Sequence, residues 1–146
     1  MSRLGPARTA LLLFLLALVA RLGFLVALAQ AAPELLDVPI LDAAHYHRWA
    51  QDMLAGTGLS RQVFFMHPLP PAIMSMVYAV AGPEPMAFVF LQVVLGALGV
   101  VLLADLTRRW FGAAAGLVAG VMAALYRPFL WNDVLLETVE LALVFM

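Results

Sequence analysis

The sequence contains no cysteine and no lysine, and only 12% of its 146 residues are charged. Without cysteine, the chain can form neither a disulfide bond nor a thiolate metal site. The eight basic residues are all arginines, and the formal net charge is −1. They form no basic block of the kind that binds nucleic acid. Because a soluble domain carries roughly 25% charged residues, the scarcity of charge argues against a soluble protein.

Apolar residues are correspondingly abundant: they make up 65% of the chain, and the mean hydropathy is +1.01. About 20 helical residues cross a hydrocarbon core of ~30 Å. We therefore predict an all-α, polytopic membrane protein with spans at about 10–30, 86–106 and 113–130. A further apolar helix over 135–146 is too short to cross. The pattern predicts the truncated start of a fourth span.

The first apolar run has two interpretations. Ala27-Leu28-Ala29 is typical of a signal-peptide cleavage site, yet the run is longer than the ~7–15 residues of a signal core and contains Arg21. We favour a retained helix and leave cleavage open as the alternative. A charge in the middle of a span is expected to face other helices or a wet cavity. Our hypothesis is that Arg21 pairs with an acid on a helix beyond this sequence.

Residues 31–85 form a polar to amphipathic loop with two predicted helices. One runs over 43–55, with Asp42 as its N-cap, and the other over 70–81, ended by Gly82. The second helix has the length of an interfacial or re-entrant segment. If it does not cross, Arg8 and Arg108-Arg109 lie on the same side of the membrane. The positive-inside rule then predicts a cytoplasmic N-terminus and a periplasmic loop.

The richest polar segment is the first loop helix, where Asp42, His45 or Tyr46, and Trp49 share a face by their three-and-four spacing. An imidazole and aromatic surfaces just outside a membrane helix suit a polar substrate carried on a lipid, so His45, Tyr46 and Trp49 are candidates for substrate binding. A carboxylate beside an acceptor hydroxyl can act as a general base. Alternatively, Asp42 only caps the helix and Trp49 only anchors it at the interface. His45 and His47 point about 200° apart on a helix, so we predict no metal site there.

Three further residues are candidates for substrate binding: Arg61, His67 and Glu137. Arginine offers phosphate a planar fork of donors, and a histidine beside a proline-rich turn can donate to the same group. Glu137 stands one turn after Asp133, and the two would form a second acidic element facing the loop. The alternatives are ordinary solvation for the arginine, a water-boundary position for the histidine, and helix-dipole stabilisation for the acids.

Several motifs follow one another along nearly the whole chain. They are Asp42-x-x-x-Tyr46-x-x-Trp49-Ala50, Val63-Phe64-Phe65, His67-Pro68-Leu69-Pro70-Pro71, Gly82, Leu91-Gln92 with Leu95-Gly96, Arg108-Arg109-Trp110-Phe111-Gly112, and Tyr126-Arg127-Pro128-Phe129 followed by Glu137. In this order and spacing the chain resembles the C-type glycosyltransferases of family 39. That family includes the protein O-mannosyltransferases, the bacterial aminoarabinose transferase and many bacterial members of unknown acceptor.

The resemblance implies many transmembrane helices, a large first periplasmic loop with interfacial helices, and a location in the bacterial inner membrane. It implies an inverting transfer of sugar from a polyprenyl-phosphate donor to a glycan, lipid or protein acceptor. The catalytic acid of the family would fall on Asp42, and a further acid on Glu137. No cofactor is implied, and a need for a divalent metal stays open.

The sequence departs from the family pattern at two places. Ala43 stands where a second acid often follows the first, and the proline motif reads His-Pro-Leu-Pro-Pro. Since family members are several hundred residues long, the chain would be an N-terminal part, and we expect it to be inactive alone. The alternative from another class is a non-enzymatic small membrane protein, such as a transporter piece or an assembly subunit.

Overall fold

A computed structural model describes residues 5–37, 41–57 and 68–134, and this part of the chain is helical throughout, with no strand. In order, its helices are α1 (Pro6–Ala31), α2 (Glu34–Asp37), α3 (Leu41–Leu54), α4 (Leu69–Ala81), α5 (Pro85–Phe111), α6 (Ala113–Leu125) and α7 (Arg127–Val134). The predicted all-α class is confirmed over these residues. Arg61, His67, Glu137 and the predicted helix over 135–146 lie outside them.

Two helices, α1 and α5, are long and apolar enough to cross a membrane, with 26 and 27 residues. Both carry a proline in the first turn, where its fixed φ suits a helix and its missing N–H is not needed. At its other end α5 stops before Gly112, whose φ of 91° lies in the left-handed region that glycine adopts without strain. These two helices correspond to the predicted spans at 10–30 and 86–106, and each extends further.

The predicted third span is not one continuous helix. It breaks at Tyr126 into α6 and α7, whose axes differ by 52°. Pro128 is the physical reason, because its ring clashes with the carbonyl of Ala124 in a continuous helix and it has no N–H to donate there. The proline is accommodated instead in the first turn of a new helix. Counted as one bent span, α6 and α7 raise the number of possible spans from two to three.

The close packing of α6 depends on its glycines. A Cβ added to Gly116 would lie 2.7 Å from the carbonyl oxygen of Ala104 on α5, and one added to Gly120 would lie 2.7 Å from Cδ1 of Leu13 on α1. At Gly116 the backbones of α5 and α6 therefore approach more closely than a larger residue allows, as small residues permit in membrane helices, whereas Gly120 makes room for the Leu13 side chain.

The outer faces of the long helices are apolar and exposed, as expected for surfaces that meet lipid. On α1 and α5 they include Leu11, Leu15, Val19, Val26, Leu98, Leu102 and Leu106. The short helices α3 and α4 pack against each other, and α4 also contacts α5. Their shared core with the C-terminal end of α1 contains Leu25, Ala50, Met74, Tyr78 and Phe88. The α3–α4 pair therefore caps one end of the bundle.

Candidate functional site

A buried ion pair lies inside the bundle, between Arg21 on α1 and Asp133 on α7. The Arg21 side chain is 1% exposed; its Nε faces Oδ2 of Asp133, and its Nη1 donates to the carbonyl oxygen of Ala17 at 3.2 Å. The expectation that its acidic partner lies beyond this sequence is wrong. Asp133 turns towards α1 instead of joining an acidic element that faces the loop, because only there can a carboxylate compensate the guanidinium.

A glycine on α5 makes room for this pair. A Cβ added to Gly96 would lie 2.7 Å from Cγ of Asp133 and 2.8 Å from Nε of Arg21. The inner face of α5 therefore leaves a slot at Gly96 for the two charged side chains. The same face carries the buried amide of Gln92 one turn earlier.

The predicted face of α3 is largely turned inward. Tyr46 and Trp49 are buried, and the half-buried His45 lies between them, with its ring centroid 6.3 Å from that of Tyr46 and 5.8 Å from that of Trp49. The structure thus brings these three predicted residues into one aromatic cluster. It is held by edge-to-face geometry of the rings.

Asp42, the predicted catalytic acid, is exposed in the first turn of α3. Because the helix begins at Leu41, two residues earlier than expected, Asp42 lies inside the helix and is not its N-cap. The positive end of the helix dipole favours a carboxylate at this place. The Asp42 side chain is therefore exposed on the outside of the α3–α4 pair. It lies in the same N-terminal part of α3 as His45.

A second polar group joins α3 to α4. Nδ1 of His47 lies 2.7 Å from the hydroxyl oxygen of Tyr78, and the Gln51 amide nitrogen lies 3.1 Å from Nε2 of the same ring. Each ring nitrogen of His47 therefore has one polar partner, and the tautomer of the ring sets which nitrogen donates and which accepts. The two rings also meet edge to face, with centroids 5.5 Å apart.

Burial determines the protonation of this pair. It lowers the pKa of His47 below its usual 6.5, and the charge of Glu84 opposes this only in part. It raises the pKa of Tyr78 to about 12, and Glu84 adds to the increase. Both effects follow from the cost of placing a charge away from water. At neutral pH the histidine is uncharged and the tyrosine keeps its proton.

Sequence reasoning missed this group. The spacing of His47 and Gln51, four residues apart on a helix, is a local feature that predicts their contact. Tyr78 belongs to a different helix, so its part in the group depends on how α3 packs against α4.

In the described ranges, no three His, Asp or Glu side chains come together in a way that could hold a metal ion. His47 directs its two ring nitrogens to Tyr78 and Gln51, whereas His45 packs against the aromatic rings. The two histidines therefore serve different contacts, in keeping with their spacing on the helix.

Comparison of the chain with protein-family models, curated proteins and solved structures gave no significant match.

Proposed function

We propose that this chain is the N-terminal part of a C-type glycosyltransferase of family 39, which moves a sugar from a polyprenyl-phosphate donor to an acceptor on the periplasmic face. The observation that carries the proposal is the exposed carboxylate of Asp42 on α3, in a helical pair that caps one end of an apolar bundle. A carboxylate at the edge of such a bundle can meet both a lipid-linked sugar and an acceptor from water.

In this mechanism, Asp42 accepts the proton of the acceptor hydroxyl. The acceptor oxygen then attacks the anomeric carbon, the bond between that carbon and the phosphate oxygen breaks, and the polyprenyl phosphate leaves with inversion. Arg61 and His67 stabilise the charge that develops on the phosphate. Glu137 contributes a further acid to the site. These last three residues stay predictions, since they lie outside the described ranges.

His45, Tyr46 and Trp49 form one side of the proposed donor site beside Asp42. Tyr46 and Trp49 are buried, so they support the half-buried ring of His45, which is the one of the three that can contact a sugar. The neutral His47 and Tyr78 bond holds this side in place by joining α3 to α4.

The distribution of arginines supports the proposed orientation in a bacterial inner membrane. Arg8 near the start of α1 and Arg108-Arg109 at the end of α5 lie at the end of the bundle opposite α3 and α4. By the positive-inside rule this end is cytoplasmic, and the loop over 31–85 is periplasmic. The bent α6–α7 pair then returns outward as the third span.

The test compares two carboxylates of the same helix. In the complete coding frame that contains this chain, Asp42→Asn is expected to lower sugar transfer in membrane vesicles by about 10²–10⁴-fold, the usual contribution of a general base. Asp52→Asn, which changes an exposed acid ten residues further along α3, is the matched control. Transfer is measured with radiolabelled polyprenyl-phosphate sugars. Wild-type turnover in the Asp42→Asn variant would overturn the assignment.

The second candidate is a non-enzymatic small membrane protein. The burial of Tyr46 and Trp49 and the internal Arg21–Asp133 pair favour it, since all four side chains serve packing inside the bundle. Under this alternative no polyprenyl-phosphate sugar is consumed by membranes that contain the chain, and Asp42→Asn and Asp52→Asn have equal, small effects on stability. The same assay therefore separates the two candidates.

A further inference from the structure

A groove of about 620 Å³ opens at the end of the bundle opposite α3 and α4. It runs between the first half of α1, the last part of α5 and the first part of α6. Its walls are mostly apolar, and they include Leu12 and Leu16 of α1 and Leu117 of α6. From Pro6 to Leu16, at 1.5 Å per residue, the groove extends along α1 by ~15 Å, which is about half of a ~30 Å hydrocarbon core.

The polar lining residues are confined to one end of this groove. Thr9 lies in the first turn of α1, and Asp105 and Arg108 lie in the last two turns of α5. The apolar residues continue from there towards the middle of the bundle. The groove thus has a polar mouth and an apolar channel as deep as one leaflet, which matches the shape and polarity of a lipid.

The charge at the mouth indicates which lipid fits. Among the described residues, this end of the bundle carries Arg8, Arg108 and Arg109 against a single acid, Asp105. Asp105 accepts from Nε and Nη2 of Arg108 at 3.0 and 2.5 Å and from Nε of Arg109 at 2.6 Å. The Asp105 carboxylate therefore orients the guanidinium groups of Arg108 and Arg109. Because it neutralises one of the three arginine charges at this end, the mouth keeps a net positive charge.

The helix termini add to this net positive charge. α1 and α6 both begin at the mouth, and only α5 ends there among the described helices. The N-terminal end of a helix favours anions. The opposite end of the bundle has the reverse character, since its described charges are mostly acidic: Glu34, Asp42, Asp52 and Glu84 against Arg48.

We propose that this groove binds one anionic phospholipid of the adjacent leaflet, with its phosphate at Arg108 and one acyl chain between α1, α5 and α6. The backbone of Arg108 has a fixed position, because α6 packs directly against it: a Cβ added to Gly116 would lie 2.9 Å from the Arg108 Cα. The site lies at the end of the bundle opposite the proposed transferase site.

Native mass spectrometry of the detergent-purified chain tests the head group. With phosphatidylglycerol and phosphatidylcholine of the same acyl chains at equal concentration, the wild type is expected to retain phosphatidylglycerol at least about fivefold better, the factor that one arginine near an anionic surface supplies. Arg108→Gln is expected to lower this preference about fivefold, and Arg127→Gln, at the start of α7 and outside the groove, to leave it unchanged.

Adjacent residues of one helix test the groove itself. Leu12→Trp fills the channel and is expected to abolish retention, whereas Leu11→Trp places the same ring on the exposed face outside it. Leu117→Trp and Val118→Trp form an equivalent pair on α6. Far-UV circular dichroism and gel filtration identify any variant that does not fold. If one pair contains such a variant, the lipid retention of the other pair tests the groove.

Three outcomes would overturn the proposal. The first is equal retention of the two phospholipids by the wild type. The second is equal retention by folded groove and control variants. The third is displacement of phosphatidylglycerol by an equimolar polyprenyl phosphate, which would assign the groove to that lipid and not to a phospholipid.

Discussion

Arg21 and Asp133 form an ion pair inside the helical bundle, although they come from the first and the last helices that the structure describes. Arg21 crosses from α1 at the level of Gly96 on α5, and Asp133 reaches it from α7, beyond the bend at Tyr126. The pair therefore ties the bent segment to the first long helix. It explains how a charge can be accommodated in the middle of an apolar span.

Removing one member of this pair should destabilise the bundle strongly. For Arg21→Met or Asp133→Leu alone we expect a loss of about 3–5 kcal/mol, because the remaining charge is left buried without a partner. The double variant Arg21→Met/Asp133→Leu should recover most of that loss, since both charges are gone. Thermal unfolding in detergent measures the effect, followed by tryptophan fluorescence in a Trp49→Phe/Trp110→Phe background that leaves Trp131, which packs against Phe24 of α1, as the fluorophore. Additive losses in the double variant would contradict the pairing.

The slot at Gly96 makes a second prediction with a control on the same helix. Gly96→Ala should lower stability by about 1–3 kcal/mol, because the added Cβ would lie 2.7 Å from Cγ of Asp133 and the core is overpacked. A Cβ at Gly99 meets nothing within 4 Å, so Gly99→Ala should be neutral or stabilising by up to ~1 kcal/mol. The midpoints of thermal unfolding compare the two, and equal midpoints would exclude the slot.

The bond between His47 and Tyr78 should couple α3 to α4. We expect a double-mutant cycle of His47→Phe and Tyr78→Phe to show a coupling energy of about 1 kcal/mol, the net worth of an intramolecular hydrogen bond. Unfolding in detergent measures the four proteins of the cycle. Gln51→Ala leaves the Tyr78 contact in place and serves as the control for general disturbance of α3. A coupling energy near zero would show that the two side chains act independently.

The same pair predicts how stability changes with pH. Because burial lowers the pKa of His47 in the folded state, the unfolded chain binds more protons below about 6.5, and the free energy of unfolding should fall as the pH decreases from there. Burial raises the pKa of Tyr78 from 10 to about 12, so the unfolded chain loses its proton first and stability should fall as the pH rises from 10 towards 12.

Thermal midpoints across this pH range test both slopes. His47→Gln should reduce the acid-side slope and Tyr78→Phe the alkaline one, since each removes the titrating group. If the thermal midpoint still changes with pH as in the wild type after both substitutions, other residues cause the pH dependence and the prediction is wrong.

Much of the architecture was predictable from local sequence. Long apolar runs determine α1 and α5, and the flanking prolines and glycines determine where α4 begins and ends, because helix boundaries depend on the missing N–H of proline and on the positive φ of Gly82. Composition alone identified a helical protein with apolar helices of membrane-spanning length. The spacing of Asp42, His45, Tyr46 and Trp49 also predicted a shared helix face, and the structure adds that the ring of His45 contacts those of Tyr46 and Trp49.

Only the tertiary structure decided which polar groups meet. Asp133 stands in a segment that local periodicity assigns to a separate acidic element, yet it faces Arg21 because the break at Pro128 redirects α7 and Gly96 leaves space for both side chains. Tyr78 reaches His47 only because α3 and α4 pack together, and the same packing buries the aromatic face of α3. The sequence by itself determines the helices, since their signals are local. Their mutual positions decide the partners, because a buried charge or hydroxyl is stabilised by whichever complementary group the packing brings within reach.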